Sequence, residues 1–319
     1  MPSTLLENIK KNPPTILVLG DIMLDRFIYG DAERISPEAP IPVVSITNEK
    51  QMLGGCGNVI TNLNNIGIKA IPFCVVGKDN AGDLLMEKFL NKRIPVSNIF
   101  QVKKVMTTEK IRVVADNQQI VRIDKDMTNL GSEYVDVFTN NFLKFTKDID
   151  CVIISDYAKG VCQEKLIKKI ISISKGHEIP VLVDPKGANW IKYKHASLIT
   201  PNMKEVENIL GEKLTRDKDY EIAAKKICST YKIDACLITK GAEGMSFFSK
   251  DDVFHLKSNA KEVFDVSGAG DTVIAMMAAG VVAKFSYKQA AQFSNRAAGI
   301  VVGHIGTSAI TTRELLNLN

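Results

Sequence analysis

The chain is predicted to be an α/β protein, a doubly wound and mostly parallel sheet carrying a small antiparallel β lid. Two observations predict this. Short Val- and Ile-rich runs at 16–19, 71–76, 151–155, 181–183, 198–200 and 236–239 alternate with segments whose apolar residues recur every three or four positions, at 58–66, 81–90, 163–173 and 220–231. The short runs are apolar on both faces, as buried parallel strands are, and the helical stretches between them supply crossovers that cover both sides of a sheet. Residues 41–53 and 107–123 break this rhythm. They read as alternating strands around turn residues, Asn48-Glu49 in the first and Asp116-Asn117 in the second, so that two insertions build the lid.

Composition narrows the function classes. The 319 residues are 45% hydrophobic and 24% charged, which excludes a disordered chain. A chain of about 300 residues buries roughly three quarters of its unfolded surface. With no long linker, low-complexity tract or internal repeat, residues 1–319 are expected to form one domain with the two lid insertions. The longest uncharged apolar run, 273–283, is interrupted by Gly280 and falls short of the roughly 18–20 residues a bilayer requires. Residues 1–14 carry charges and prolines where a signal peptide needs an apolar core. The net charge of +5 is spread over basic pairs such as Lys103-Lys104, without the dense runs of a nucleic-acid tail. Six cysteines without a CxxC pair point to a reduced, cytoplasmic protein.

The most informative segment is Asp265-Val266-Ser267-Gly268-Ala269-Gly270-Asp271-Thr272, which leads into the strongly apolar 273–283. A helix apolar nearly all round is a buried one. Glycines at its start let the backbone approach a ligand, and the unpaired N–H groups of its first turn form an anion site beside Asp271. An isolated Gly-x-Gly-Asp equally describes a capped turn. Walker A, the dinucleotide fingerprint, HExxH and GxSxG are all absent.

Strand 16–19 runs into Gly20-Asp21-Ile22-Met23-Leu24-Asp25, placing two carboxylates at a strand's carboxyl end, where open α/β sheets bind ligands. Gly54-Gly55-Cys56-Gly57-Asn58 then opens a helix, and the Asn58 amide can both donate to and accept from a polyol. Thr200-Pro201-Asn202-Met203-Lys204-Glu205 follows another strand, and a carboxylate one turn on suits Mg²⁺ held through water. The same residues describe a plain capping box. Thr239-Lys240-Gly241-Ala242-Glu243-Gly244 could lie against a nucleotide or form a hairpin turn.

In this order and spacing, an early Gly-Gly-x-Gly-Asn paired with a late Gly-Ala-Gly-Asp, the chain resembles the ribokinase-like (PfkB) carbohydrate kinases from residue 16 to about 316. The resemblance implies an ATP- and Mg²⁺-dependent sugar kinase with a lid over the sugar. It makes Asp271 the catalytic base and Gly268, Ala269 and Gly270 the anion hole. It assigns Asp25, Gly55, Asn58 and Asp156 to the sugar, and Asn202, Lys204, Thr239, Gly241, Gly244 and Asn295 to the nucleotide. Glu205 falls to the ATP phosphates and the metal.

Segments 20–26, 34–44, 155–160 and 184–187 narrow the resemblance to members that phosphorylate the anomeric hydroxyl of D-glycero-β-D-manno-heptose 7-phosphate for ADP-heptose and lipopolysaccharide synthesis. Two departures are Val266-Ser267, where such kinases commonly have two threonines, and Ala158, where they commonly have glycine. A phosphorylated acceptor needs a cationic pocket, for which Lys186, Arg112, Arg122 and Arg34 are the candidates. In many bacteria this kinase is fused to a C-terminal nucleotidyltransferase; with 319 residues leaving no room for that domain, the chain is expected to be either a stand-alone kinase or an excised half. Another PfkB kinase acting on ribose, fructose or a sugar phosphate, or a non-catalytic binding module on the same scaffold, are the alternatives. Exposed lid edges lead to the expectation of a homodimer, with no nucleic acid or membrane partner.

Overall fold

The structure, a computed structural model, describes residues 2–116, 118–127, 130–260, 262–304 and 306–317. In chain order the strands are β1 (Thr15–Gly20), β2 (Ile22–Ile35), β3 (Pro42–Gly55), β4 (Lys69–Gly77), β5 (Ile99–Val102), β6 (Thr108–Ala115), β7 (Gln118–Lys125), β8 (Cys151–Ser155), β9 (Val181–Asp184), β10 (Leu198–Ile199), β11 (Ala235–Thr239), β12 (Met245–Ser249) and β13 (Val253–Leu256). Nine of them form one sheet in the order β13-β12-β11-β10-β9-β8-β1-β4-β5. It is parallel from β11 through to β5, and β12 and β13 extend it antiparallel. All six predicted strands lie in this sheet.

The helices are α1 (Pro2–Lys11), α2 (Cys56–Asn65), α3 (Asn80–Asn91), α4 (Tyr134–Leu143), α5 (Glu164–Gly176), α6 (Met203–Leu210), α7 (Asp217–Tyr231), α8 (Ala269–Val282), α9 (Tyr287–Val301) and α10 (Thr312–Leu316). Alternate strand residues split the interior into two cores. Ile16 and Val18 of β1 face a core shared with α2, α3, α8 and α9, whereas Leu17 and Leu19 face one shared with α4, α5 and α7. α8 is buried along Asp271 to Gly280, as its uniformly apolar sequence predicts. Among the described residues no helix is long and apolar enough to cross a membrane.

The remaining strands form the lid, in the order β3-β2-β6-β7. Residues 107–123 fold as expected into the antiparallel pair β6 and β7; of the predicted turn, Asn117 lies outside the described residues. The reading of 41–53 is corrected. There is no turn at Asn48-Glu49, since both lie within the single strand β3, whose antiparallel partner is β2. The chain reverses at 36–41 instead, where Pro37 and Pro40 fall and Ser36 N–H donates to Ile41 C=O at 2.8 Å. β2 was illegible because Asp25, Arg26, Asp31, Glu33 and Arg34 mask its alternation. The lid is also not wholly antiparallel: β2 and β6 belong to separate insertions, no hairpin joins them, and they pair parallel.

Candidate active site

The two ligand-facing segments converge where β1 ends. Asp21 is fully buried, and its carboxylate accepts three backbone N–H groups, from Tyr157 and Lys159 on Oδ2 and from Val161 on Oδ1. It therefore shapes the 156–161 loop and is not available to a ligand. Within that loop Ala158 adopts φ +56°, a left-handed conformation that an L-residue holds at a cost, which accounts for the glycine expected there. Asp156 is likewise spent inside the protein: it accepts from Ala158 N–H, from Tyr193 Oη at 2.7 Å and from Lys192 Nζ. The expected sugar-binding role of Asp156 thus becomes one of holding this loop. Asp21, Asp156 and Cys162 approach one another closely, but these hydrogen bonds consume the carboxylates.

The loop's purpose is Tyr157. Its phenol donates to Asp271 Oδ1 at 2.6 Å, while Asn58 Nδ2 donates to Asp271 Oδ2 at 3.0 Å. Asp271 sits in the first turn of α8, buried at 2% exposure. Burial pushes its carboxyl up to about 7, against the opposing pull of these two donors. The phenol of Tyr157 is itself driven well above its usual range by burial and by the Asp271 charge, so it stays a donor. Tyr157 was missed as a site residue, although it stands in one of the segments that carried the resemblance.

Two of the predicted glycines stand where a side chain would collide with the site's own residues. Gly55 has φ +58°, and a Cβ there would fall 2.5 Å from Asp21 C=O and within 3.5 Å of the Tyr157 ring. Gly268, ahead of α8, has φ +82°, and a Cβ would lie 2.6 Å from the Asn58 amide that holds Asp271. The Ala269 N–H is committed to Val266 C=O at 3.2 Å. Among the described residues this leaves Gly268, Gly270 and Asp271 as N–H groups without a protein acceptor, while Ala269, expected among the anion-binding amides, is already engaged.

On one side of this helix start lies a cleft of about 560 Å³ lined by Asn202, Lys204, Thr239, Gly241, Gly244 and Asn295, with Ala269 and Gly270 at its end. Every predicted nucleotide residue except Glu205 is on its wall. The cleft also runs past the apolar Val263, Val266 and Val302, which suit the face of a base. Thr239 to Gly244 forms the short turn between antiparallel β11 and β12, and it also lines the cleft. Asn295 Nδ2 is tied to Lys257 C=O at 2.7 Å and is a fixed part of that wall.

Asn202 and Glu205 form the capping box of α6: Glu205 N–H donates to Asn202 Oδ1 at 3.0 Å, and Asn202 N–H to Glu205 Oε2 at 2.9 Å. Glu205 Oε1 is paired with Lys186 Nζ at 2.8 Å. Lys186 is thus captured by Glu205 at the start of α6 and is not a free cation for a substrate phosphate. Asp184, another residue the sequence reading passed over, fills the space between. Burial, then the charges of Glu205 and Asp271, raise its carboxyl well above the ordinary range. Crowded carboxylates held this way are relieved by a cation; Asp184 offers oxygen donors of the kind Mg²⁺ takes, whereas Glu205 would join it only by releasing Lys186 from Oε1.

On the other side lies the floor beneath the lid. Asp25 Oδ1 is paired with Arg112 Nη1 of β6 at 2.7 Å, and Oδ2 accepts from Thr307 Oγ1 at 2.7 Å. Arg122 pairs with Asp124 at the exposed edge of the lid, and Arg34 is exposed near the far end of β2. Neither joins the floor.

This geometry, a helix-start carboxylate between a nucleotide-sized cleft and a lidded polar floor, defines a phosphotransferase site. The profile of the pfkB family carbohydrate kinases matches residues 14–313, and the chain belongs to that family. It is 40% identical over 302 residues to the Bifunctional protein HldE of Geobacter metallireducens and 39% identical over 305 to that of Helicobacter pylori, in each case over 94% of this chain. It spans 62% and 65% of those relatives' lengths. Escherichia coli phosphofructokinase-2 in complex with potassium superposes with a TM-score of 0.81 at 19% identity, covering 96% of this chain and 98% of that one. Arabidopsis thaliana ribokinase complexed with ribose and ATP gives 0.76 at 18%, with the same coverage, so both share the fold.

With Asp271 at about 7, the acid limb of kcat/KM is expected near pH 7, because the protonated carboxyl cannot accept a proton. Tyr157→Phe removes a donor to the ionised form and should move that limb up by about one pH unit. A pH series on wild type and variant reads this; an unmoved limb contradicts the assignment.

Proposed function

We propose that the chain transfers the γ-phosphoryl group of ATP to the anomeric hydroxyl of D-glycero-β-D-manno-heptose 7-phosphate, giving the 1,7-bisphosphate for ADP-heptose synthesis. The observation that carries the reading is Asp271, held between the nucleotide cleft and the lid floor by Asn58 and Tyr157. Asp25, Gly55 and Asn58 orient the sugar, and Asp271 takes the proton of the attacking hydroxyl. A carboxyl near neutrality is well matched to that task. The N–H groups of Gly268 and Gly270, with the helix dipole, stabilise charge on the transferred phosphoryl. Phosphoryl transfer demands chiefly positioning and charge stabilisation, and these parts are sufficient for it. Mg²⁺ would be held by Glu205 and Asp184 and, when bound, neutralises phosphate charge.

The choice of heptose phosphate is supported by the segments at 34–44, 155–160 and 184–187 and by the HldE relatives. A cytoplasmic setting is supported by six cysteines that are all free and buried. The reading includes a homodimer through the lid, supported by apolar side chains that the lid leaves in solvent, among them Ile35, Ile46 and Ile123, the first two more than 60% exposed.

ADP release from MgATP, run in parallel with heptose 7-phosphate, ribose, fructose and fructose 6-phosphate, tests the activity. Turnover with heptose 7-phosphate alone is expected; turnover only with another sugar rejects the substrate, and none with any rejects the activity. Sedimentation equilibrium should give twice the chain mass of 35.1 kDa at micromolar concentration, and a monomer would reject the lid interface.

A further inference from the structure

Lys110 was singled out by nothing in the sequence, yet its surroundings are unusual. It lies on β6, in register with Asp25 of β2 and with Asp124 of β7. Its ammonium sits 5.3 Å from the centroid of the Tyr157 ring, the same ring whose phenol holds Asp271. The side chain is half-buried, and burial pulls its pKa down. The charged groups that face it are Asp25, Arg112, Lys159 and Asp124, and its own charge reaches Asp271, whose carboxyl it helps to hold down.

Each of those neighbours already has a partner. Asp25 is paired with Arg112 at 2.7 Å, Asp124 with Arg122 at 2.9 Å, and Lys159 with Asp126 at 2.6 Å. Among the described residues Lys110 has no carboxylate within ion-pairing distance. A cation taken partly out of water, crowded by two others and left without a counter-ion, costs free energy unless a ligand supplies the negative charge. A surface lysine would swing into solvent; this one is kept over an aromatic face at the edge of the acceptor floor.

We propose that Lys110, backed by Lys159 and Arg112, is the subsite for the phosphate that the acceptor sugar already carries. The ligand class is a sugar phosphomonoester whose phosphate is distal to the hydroxyl presented to Asp271. The inference rests on the reading of the chain as a sugar kinase and replaces Lys186 in the role first suggested for it. It makes Lys110 a specificity residue: its charge distinguishes a phosphorylated acceptor from the free sugar, while its field on Asp271 acts on both acceptors alike and so leaves their ratio as the readout.

The test uses Lys110→Met, which keeps the aliphatic stem over Tyr157, and Lys110→Arg, which keeps the charge. Steady-state KM is measured for heptose 7-phosphate, for unphosphorylated heptose and for ATP, and binding of heptose 7-phosphate without nucleotide is measured by calorimetry. A charge-assisted contact to phosphate is worth about ten- to hundredfold, so Lys110→Met should lose the preference for the phosphorylated over the free sugar by that factor. KM for ATP should stay within about threefold, and Lys110→Arg should recover most of the loss. Equal losses for both acceptors, or an unchanged preference, would overturn the subsite. Should wild type turn over a different sugar phosphate, the substrate reading fails while the same comparison on that acceptor still decides Lys110. Wild type that neither binds nor turns over any sugar phosphate rejects both.

Discussion

A carboxylate held out of water at the start of a buried helix is the constraint on which the rest of this architecture turns. Asp271 belongs to α8, which fills the space between the central sheet and the outer helices and is apolar along almost its whole length. Burying it there favours the neutral acid, and a neutral acid cannot serve as a base. Two donors restore the balance, Asn58 from the start of α2 and Tyr157 from the loop after β8. The resulting pKa of about 7 is a compromise between exclusion of water and hydrogen bonding, and it suits a group that must receive a proton at physiological pH.

Holding those two donors explains features that otherwise look unrelated. Tyr157 is aimed by a loop whose backbone hangs on the buried carboxylate of Asp21, and that loop accepts a strained Ala158. Asn58 is brought close by Gly55 and Gly268, where a Cβ would strike backbone or the amide itself. The lid is fastened to the same point, since Asp25 of β2 reaches Arg112 of β6 and Thr307 near the carboxyl end of the chain. Sheet, lid and terminal segment thus meet around one buried carboxylate. The cleft on the other flank of the helix start, by contrast, is lined mainly by glycine, alanine and valine, residues that serve as walls.

Much of this was legible in the chain because the signals were local. Alternation of apolar runs located all six predicted strands of the main sheet, and the Gly-Ala-Gly-Asp segment located the helix start. What failed was non-local. β2 hides its pairing behind charged residues whose partners, Glu49, Glu109 and Arg112, lie on neighbouring strands. Tyr157, Asp184 and Lys110 owe their importance to what folding places beside them: a carboxylate 114 residues away for Tyr157, two acids for Asp184, and for Lys110 Asp25, Arg112 and Lys159, each already paired elsewhere. Lys186 stands in a suggestive segment but is captured by Glu205. For Asn202 and Glu205 the plain reading of the motif is the one visible in the fold, since Glu205 caps α6 with one oxygen and faces Lys186 with the other.

The account depends most on the ionisation of Asp271, and that can be observed without substrate. A carbon-13 NMR titration of the side-chain carboxyls, with the resonance assigned by its loss in Asp271→Asn, should show one aspartate titrating near pH 7, about three units above an ordinary one. An Asp271 resonance that titrates below pH 5 would contradict the account, because the carboxylate would then be neither desolvated nor poised as the structure requires.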